Sequence, residues 1–114
     1  MLRCGRIEYT NVLPIYAAVD EGAIAHPGSL HAAVPARLNA MLLGAELDVS
    51  PISAFEWAKH AGDLVLLPGL CVGARADVMS VVLVSAVPPS LLGGETVYVT
   101  DASATGRHLL RVIL

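Results

Sequence analysis

The first two-thirds of the chain alternates segments that have a strand pattern with segments that have a helix pattern. The strand-like segments are short apolar or alternating runs, and the segments between them carry apolar residues at helical spacing. Short loops join successive elements, and this order favours right-handed crossovers between parallel strands. The sequence therefore predicts an α/β fold with strands at 5–9, 30–34, 47–49 and 64–67 and helices that open at Asn11, Pro35 and Pro51.

Proline and glycine mark the ends of the predicted helices. Pro14 and Pro35 stand in first helical turns, where the missing N–H costs nothing. Gly22, Gly44 and Gly62 follow the three apolar stripes, in the position where helices commonly stop. Each helix is therefore expected to close just before its glycine.

Segment 48–60 runs from the third predicted strand, through a polar corner, into a helix. Ser50 occupies an N-cap position before Pro51, while Ser53 and Glu56 have capping-box spacing. One serine is expected to cap the helix and the other to keep a free hydroxyl. Such a corner presents N–H groups and hydroxyls at the open end of a sheet, where they bind a carboxylate or serve only as a cap.

Asn11 allows the same two interpretations at the first corner. Its side chain either caps the helix or projects from the carboxyl edge of the sheet toward a ligand. The corners at Asn11, Pro35 and Ser50 are expected to lie along one edge, because the carboxyl ends of parallel strands share an edge.

Composition limits the function classes. The 114 residues are 55% hydrophobic and 15% charged, with a formal net charge of −3 and no basic cluster, which argues against binding to nucleic acid or anionic membranes. No run reaches the roughly 18 apolar residues of a membrane span. The N-terminus shows no export signal, so a cytoplasmic location is predicted, with Cys4 and Cys71 as buried free thiols. The four histidines lack metal-binding spacing, and no metal site is predicted.

The pattern changes after Pro68. An irregular stretch leads to predicted strands at 80–85 and 96–99, with one helical turn at 90–92 between them. Asp101 is expected to cap a final helix that carries Leu109, Leu110 and Val112. This helix shows no stop signal before Leu114, which leads us to expect a truncated chain.

Five motifs, in this order, make the sequence resemble the first part of the chorismate dehydratase family of the futalosine route to menaquinone. The resemblance covers essentially the whole chain and less than half of a family chain. The motifs are Tyr9–Tyr16, Val34–Asn39, Leu47–Glu56, Ser80–Ser85 and Asp101–Thr105.

The resemblance implies the two-lobed fold of type II periplasmic binding proteins. Residues 1–79 would form most of the first α/β lobe, and 80–92 a hinge strand and connection. Residues 93–114 would begin the second lobe with its first βα unit, the remainder being absent.

The implied activity is that of a hydro-lyase acting on chorismate, with no metal, nucleotide or redox cofactor. Asn11 and Ser80 would be the catalytic residues. Arg75 and Arg107 are the cations near the predicted corners, and both are expected to be surface residues. The implied substrate-binding residues are Ser50, Pro51, Ile52, Ser53, Ser103, Ala104 and Thr105.

Three alternatives stay open at this point. The first is a non-catalytic module that binds a carboxylate solute, for which a signal peptide or lipid-anchor cysteine would be expected. The second is the later naphthoate-forming synthase of the same route, for which a Ser-Pro-Cys-Pro-Asn-Asp-type segment would be expected where segment 9–14 reads Tyr-Thr-Asn-Val-Leu-Pro. The third is an inactive fragment of the dehydratase.

Overall fold

The computed structural model describes residues 1–114 as a mixed α/β chain. Strand β1 (Leu2–Ile7) and strand β2 (Gly28–Ala33) pair in parallel across six residues each. The parallel β-α-β unit predicted from the alternation is therefore confirmed, although each strand begins and ends slightly earlier than predicted. The helices are α1 (Leu13–Asp20), α2 (Pro35–Leu43), α3 (Ala54–Lys59) and α4 (Ala104–Ile113), with 3₁₀ turns at Thr10–Val12 and Pro89–Leu91.

The first two helices end as the glycines predict. Pro14 lies in the first turn of α1, and Gly22 adopts a left-handed φ of 72° just after its last residue. Pro35 is the first residue of α2, and Gly44 is its C-cap. Helix α3 differs, because it ends at Lys59 with His60 as its C-cap, so Gly62 does not close it.

The third predicted strand is present only as an isolated bridge beside β1. Val49 pairs in parallel with Cys4, and its carbonyl accepts a hydrogen bond from the Gly5 N–H at 2.8 Å. The Asp48 N–H donates to the Arg3 carbonyl, also at 2.8 Å. The carboxyl ends of β1, β2 and this bridge therefore lie along one edge, as predicted.

The strands predicted at 64–67, 80–85 and 96–99 are absent. No backbone-to-backbone hydrogen bond involves any residue from 65 to 87, and Val65 and Val84 are about nine-tenths exposed, at 91% and 88%. An apolar, β-branched run forms a strand only where another strand satisfies its N–H and C=O groups. No neighbouring segment supplies that partner here.

The apolar core is small and lies between the sheet and α2. The buried hydrophobic residues are Val12, Leu38 and Leu47. The radius of gyration is 16.7 Å, against about 13 Å for a compact chain of this length. Cys4 is half-buried and Cys71 exposed, so the prediction of two buried thiols is wrong for Cys71, which lies in the unpacked stretch. None of the helices has the length and apolar composition that a membrane-spanning segment requires.

An ion pair ties the start of β1 to the residue before the bridge. Arg3 donates from Nε and Nη2 to the two carboxylate oxygens of Asp48, at 3.1 and 2.6 Å, and its backbone N–H donates to Asp48 Oδ2 at 2.8 Å. These side-chain and backbone hydrogen bonds lower the pKa of Asp48 from 3.8 to about 2.

This pair makes stability depend on pH in a defined range. Asp48 takes up a proton near pH 3.8 when unfolded but only near pH 2 when folded, so its contribution is present above about pH 4 and is lost as the pH falls toward 2. Urea unfolding between these pH values should therefore show a decline that is smaller in Asp48→Asn. Equal declines in the two proteins would contradict this prediction.

Candidate functional site

The segment between the Val49 bridge and α3 lies directly against β1. Gly5 is buried, and a Cβ built on it would collide with Ser50 Oγ and come within 3.1 Å of Leu38 Cδ2. The absence of a side chain at Gly5 therefore lets Ser50 approach the strand. The Ser50 hydroxyl donates to the Pro51 carbonyl at 3.0 Å, so it is not the helix cap.

Ser53 caps α3, and Asn39 of α2 holds it in place. Ser53 Oγ accepts from the Glu56 N–H at 3.3 Å and from Asn39 Nδ2 at 3.1 Å. The Ser53 N–H in turn donates to Asn39 Oδ1 at 3.2 Å. Both acceptor positions of the hydroxyl are then used, so its own proton is free to be donated elsewhere.

Asn39 is the residue of this arrangement that the sequence did not identify. It is only 5% exposed, whereas asparagine is mostly found on protein surfaces. It lies in one of the five motifs, but no role could be read from its position within a helix. A buried, hydrogen-bonded amide at this point fixes the start of α3 relative to α2.

The start of α4 is capped in the same way, and the predicted cap is wrong. Ser103 Oγ accepts from the Gly106 N–H at 3.2 Å, whereas the Asp101 side chain forms no hydrogen bond. Ser103 is the cap because it directly precedes the first helical residue, where its hydroxyl reaches the third N–H of the helix. Asp101 is exposed, two residues before the cap.

Helices α3 and α4 pack against each other through aromatic side chains. The rings of Phe55 and His108 stack with centroids 3.6 Å apart and planes at 15°. The Lys59 ammonium lies 5.7 Å from the Phe55 centroid. The pKa of His108 is lowered by desolvation and then by the positive charges of Arg107, Arg111 and Lys59. His108 is therefore a neutral stacking partner at pH 7.

An open cavity of about 230 Å³ lies between α2, α3 and α4. Asn39 contributes its buried amide, and α4 contributes Ala104 and Arg107. Glu56 is engaged by Lys59 at 3.2 Å, while Asp101 has no ion-pair partner. A small ligand would meet hydrogen-bonding groups and both signs of charge here. The lining residues are Ala36, Asn39, Ala40, Leu43, Glu56, Asp101, Ala104 and Arg107.

The structure brings only some of the predicted site residues together. Ala104 lines this cavity, and Ser53 is hydrogen-bonded to Asn39, which also lines it. Thr105, the next residue along α4, is exposed. Asn11 lies in an exposed 3₁₀ turn and Ser80 in an exposed turn, and neither lines the cavity.

The residue that follows Ser80 lies near the start of α4. A Cβ built on Gly106 would be 3.4 Å from Cγ1 of Val81. Pro51 and Ile52 are half-buried in the non-helical stretch between Ser50 and the cap of α3. No three histidine, cysteine or carboxylate side chains come together in a set that could bind a metal ion.

Comparisons with known proteins agree on one family. A family model described as menaquinone biosynthesis matches residues 2–114. A curated protein from Thermus thermophilus, named chorismate dehydratase, is 34% identical over 113 residues. That alignment covers 96% of this chain and 38% of the relative, so the chain spans well under half of the relative's length. No solved structure matches the chain.

Proposed function

This chain belongs to the menaquinone biosynthesis family, and we propose on that basis that it carries part of a chorismate dehydratase. The observation that carries the proposal is the 34% identity, over 96% of the chain, to a relative of that name. The proposed enzyme is a cytoplasmic hydro-lyase that converts chorismate to 3-[(1-carboxyvinyl)oxy]benzoate and water. In a reducing compartment its two free cysteines would stay as thiols.

The reaction asks little of the protein beyond orientation. Chorismate loses the proton on ring carbon C3 and the hydroxyl on C4, and these leave together as water. The product ring is aromatic, so the driving force lies in the substrate. The protein has to orient two carboxylates and donate hydrogen bonds to the departing hydroxyl.

Serine hydroxyls and backbone N–H groups are proposed to bind the carboxylates. The Ser53 hydroxyl is a suitable donor, because Asn39 and Glu56 occupy its acceptor positions. Helix α4 would provide the second set of donors. The proposed substrate-binding residues are Ser50, Pro51, Ile52, Ser53, Ser103, Ala104 and Thr105.

Asn11 and Ser80 are proposed as the catalytic residues. An asparagine amide can donate to the leaving hydroxyl, and a serine hydroxyl can donate or relay a proton, but neither is a strong base near pH 7. We therefore propose that the enolpyruvyl carboxylate of the substrate removes the C3 proton. Both residues are exposed here, so this role requires a ligand or further polypeptide to close over them.

The proposal extends to the fold of the whole protein. In the type II periplasmic-binding-protein arrangement, residues 1–79 would belong to one lobe, 80–92 to a connection and 93–114 to the start of a second lobe. The packing of α4 beside α3 supports a site formed from both parts. In such folds a ligand binds between the lobes, which together exclude water.

The test is incubation of the 114-residue chain with chorismate, followed by mass spectrometry. Product with the mass of chorismate less one water, above a control without protein, would confirm the activity and show that the rest of the enzyme is dispensable or replaced by a second copy. A chain that binds chorismate without converting it would instead support the carboxylate-binding module. If the chain shows no binding and no product, the family assignment stands and this chain alone is an inactive fragment of the enzyme.

A further inference from the structure

A second cavity, of about 240 Å³, shares Arg107 with the one described above. Its apolar lining comes from α4 and from the irregular segment before it. Two arginines of α4 complete it, and no carboxylate side chain takes part. The lining residues are Val97, Val99, Arg107, Leu110, Arg111 and Leu114.

The two arginines are among the few cations of the chain that remain unpaired. The chain has seven lysines and arginines. Four of them form ion pairs with carboxylates: Arg3, Arg6, Arg37 and Lys59. Arg75, Arg107 and Arg111 form none. Of these three, Arg107 and Arg111 line this cavity, and Arg75 lies in the exposed stretch that follows Pro68.

Their spacing concentrates positive charge at one place. Residues four apart on a helix are neighbours, with Cβ atoms about 5–6 Å apart, and two like charges at that spacing are mutually destabilising. The pKa of His108 is lowered first by desolvation and then by the charges of Arg107, Arg111 and Lys59, which Glu56 opposes more weakly, so the net field along this part of α4 is positive. An anion bound between the two guanidinium groups would relieve their repulsion.

The rest of the lining indicates that the anion also carries an apolar group. Val97 and Leu110 are half-buried and, with Val99 and Leu114, offer an apolar wall beside the two charges. A hydrophobic wall with a few well-placed polar groups is the usual make-up of a small-molecule site. A fully hydrated inorganic anion would leave this wall unused.

We propose that the cavity formed by α4 and residues 97–99 binds a small carboxylate with an apolar ring, with Arg107 and Arg111 holding the carboxylate and the valines and leucines contacting the ring. Guanidinium groups suit this task because they donate two parallel hydrogen bonds to a carboxylate. The site shares Arg107 with the first cavity but uses none of the proposed substrate-binding serines, and it does not depend on the proposed dehydratase activity.

The test is a titration of the isotope-labelled chain with benzoate, followed by NMR. Saturable shifts are expected at the amides of Val97, Val99 and residues 107–111. Arg107→Gln and Arg111→Gln should each weaken benzoate binding about tenfold, since a hydrogen bond to a charged group contributes about that factor. Arg75→Gln is the matched control and should bind as the wild type does.

Two further comparisons separate charge from a loss of folding. Benzamide has the same ring without the charge and should bind at least tenfold more weakly than benzoate. Arg111→Lys, which keeps the charge but not the fork of donors, should lose less affinity than Arg111→Gln.

The proposal is overturned if benzoate produces no saturable shifts at these residues. It is also overturned if benzamide binds as tightly, or if Arg75→Gln weakens binding as much as Arg107→Gln does. Chorismate turnover is a separate measurement, so either proposal can fail while the other stands.

Discussion

Replacing Leu38 by alanine is expected to lower the free energy of unfolding by about 2–5 kcal/mol. Leu38 is 0% exposed and packs beneath β1, and the other buried hydrophobic residues are only Val12 and Leu47. Few other buried side chains are available to move into the space that the leucine side chain would leave. Because domains are stable by about 5–15 kcal/mol in total, this one change should remove a large share of the stability.

The measurement is urea unfolding followed by the fluorescence of Trp57, the single tryptophan of the chain. Leu43→Ala is the matched control, since Leu43 lies in the same helix but is 39% exposed. It should lower the unfolding free energy much less. If the two variants shift the urea midpoint equally, Leu38 is not the centre of the core.

Local signals accounted for the elements that were predicted correctly. Helix α2 begins at Pro35 and is capped by Gly44 because proline fits the first helical turn and glycine readily follows the last. Parallel pairing followed from the alternation and from short connections. These features depend on residues near each other in the sequence, so one sequence was sufficient.

Rules based on neighbouring residues cannot choose between two possible caps, or decide whether a strand forms, when the deciding partner is distant in the sequence. Ser50 and Ser53 both satisfied the rules for a cap. Ser53 is the cap, and two hydrogen bonds with Asn39, 14 residues earlier, hold it there. The apolar run at 80–85 has strand composition but no strand beside it. Composition measures the tendency to pair and does not supply the partner.

The two cavities lay beyond sequence reasoning for the same reason. The first requires α2 and α4 to meet, although Asn39 and Arg107 are far apart in the chain. The spacing of Arg107 and Arg111 was visible in the sequence, but an apolar wall beside them was not. Asp101 was the predicted cap of α4, but the helix begins at Ala104, which places Ser103 in the cap position.

Asn11→Ala and Ser80→Ala are each expected to lower the rate of chorismate dehydration by about 10²–10³-fold, the loss seen when one well-placed transition-state donor is removed. Neither side chain forms a hydrogen bond within the protein, and both residues are exposed. The substitutions should therefore leave the urea midpoint unchanged, as surface substitutions usually do. A slower reaction at equal stability would identify a contact made only with substrate.

The test is the rate of chorismate dehydration at saturating chorismate, measured with a preparation that gives product in the mass-spectrometry assay. Ser90→Ala is the control, because Ser90 is an exposed serine in the 3₁₀ turn Pro89–Leu91, outside the proposed site. Unchanged turnover in both Asn11→Ala and Ser80→Ala would remove them from the mechanism. The serines at the starts of α3 and α4 would then be the remaining proton donors to the departing hydroxyl, Ser53 first, because its acceptor positions are already filled.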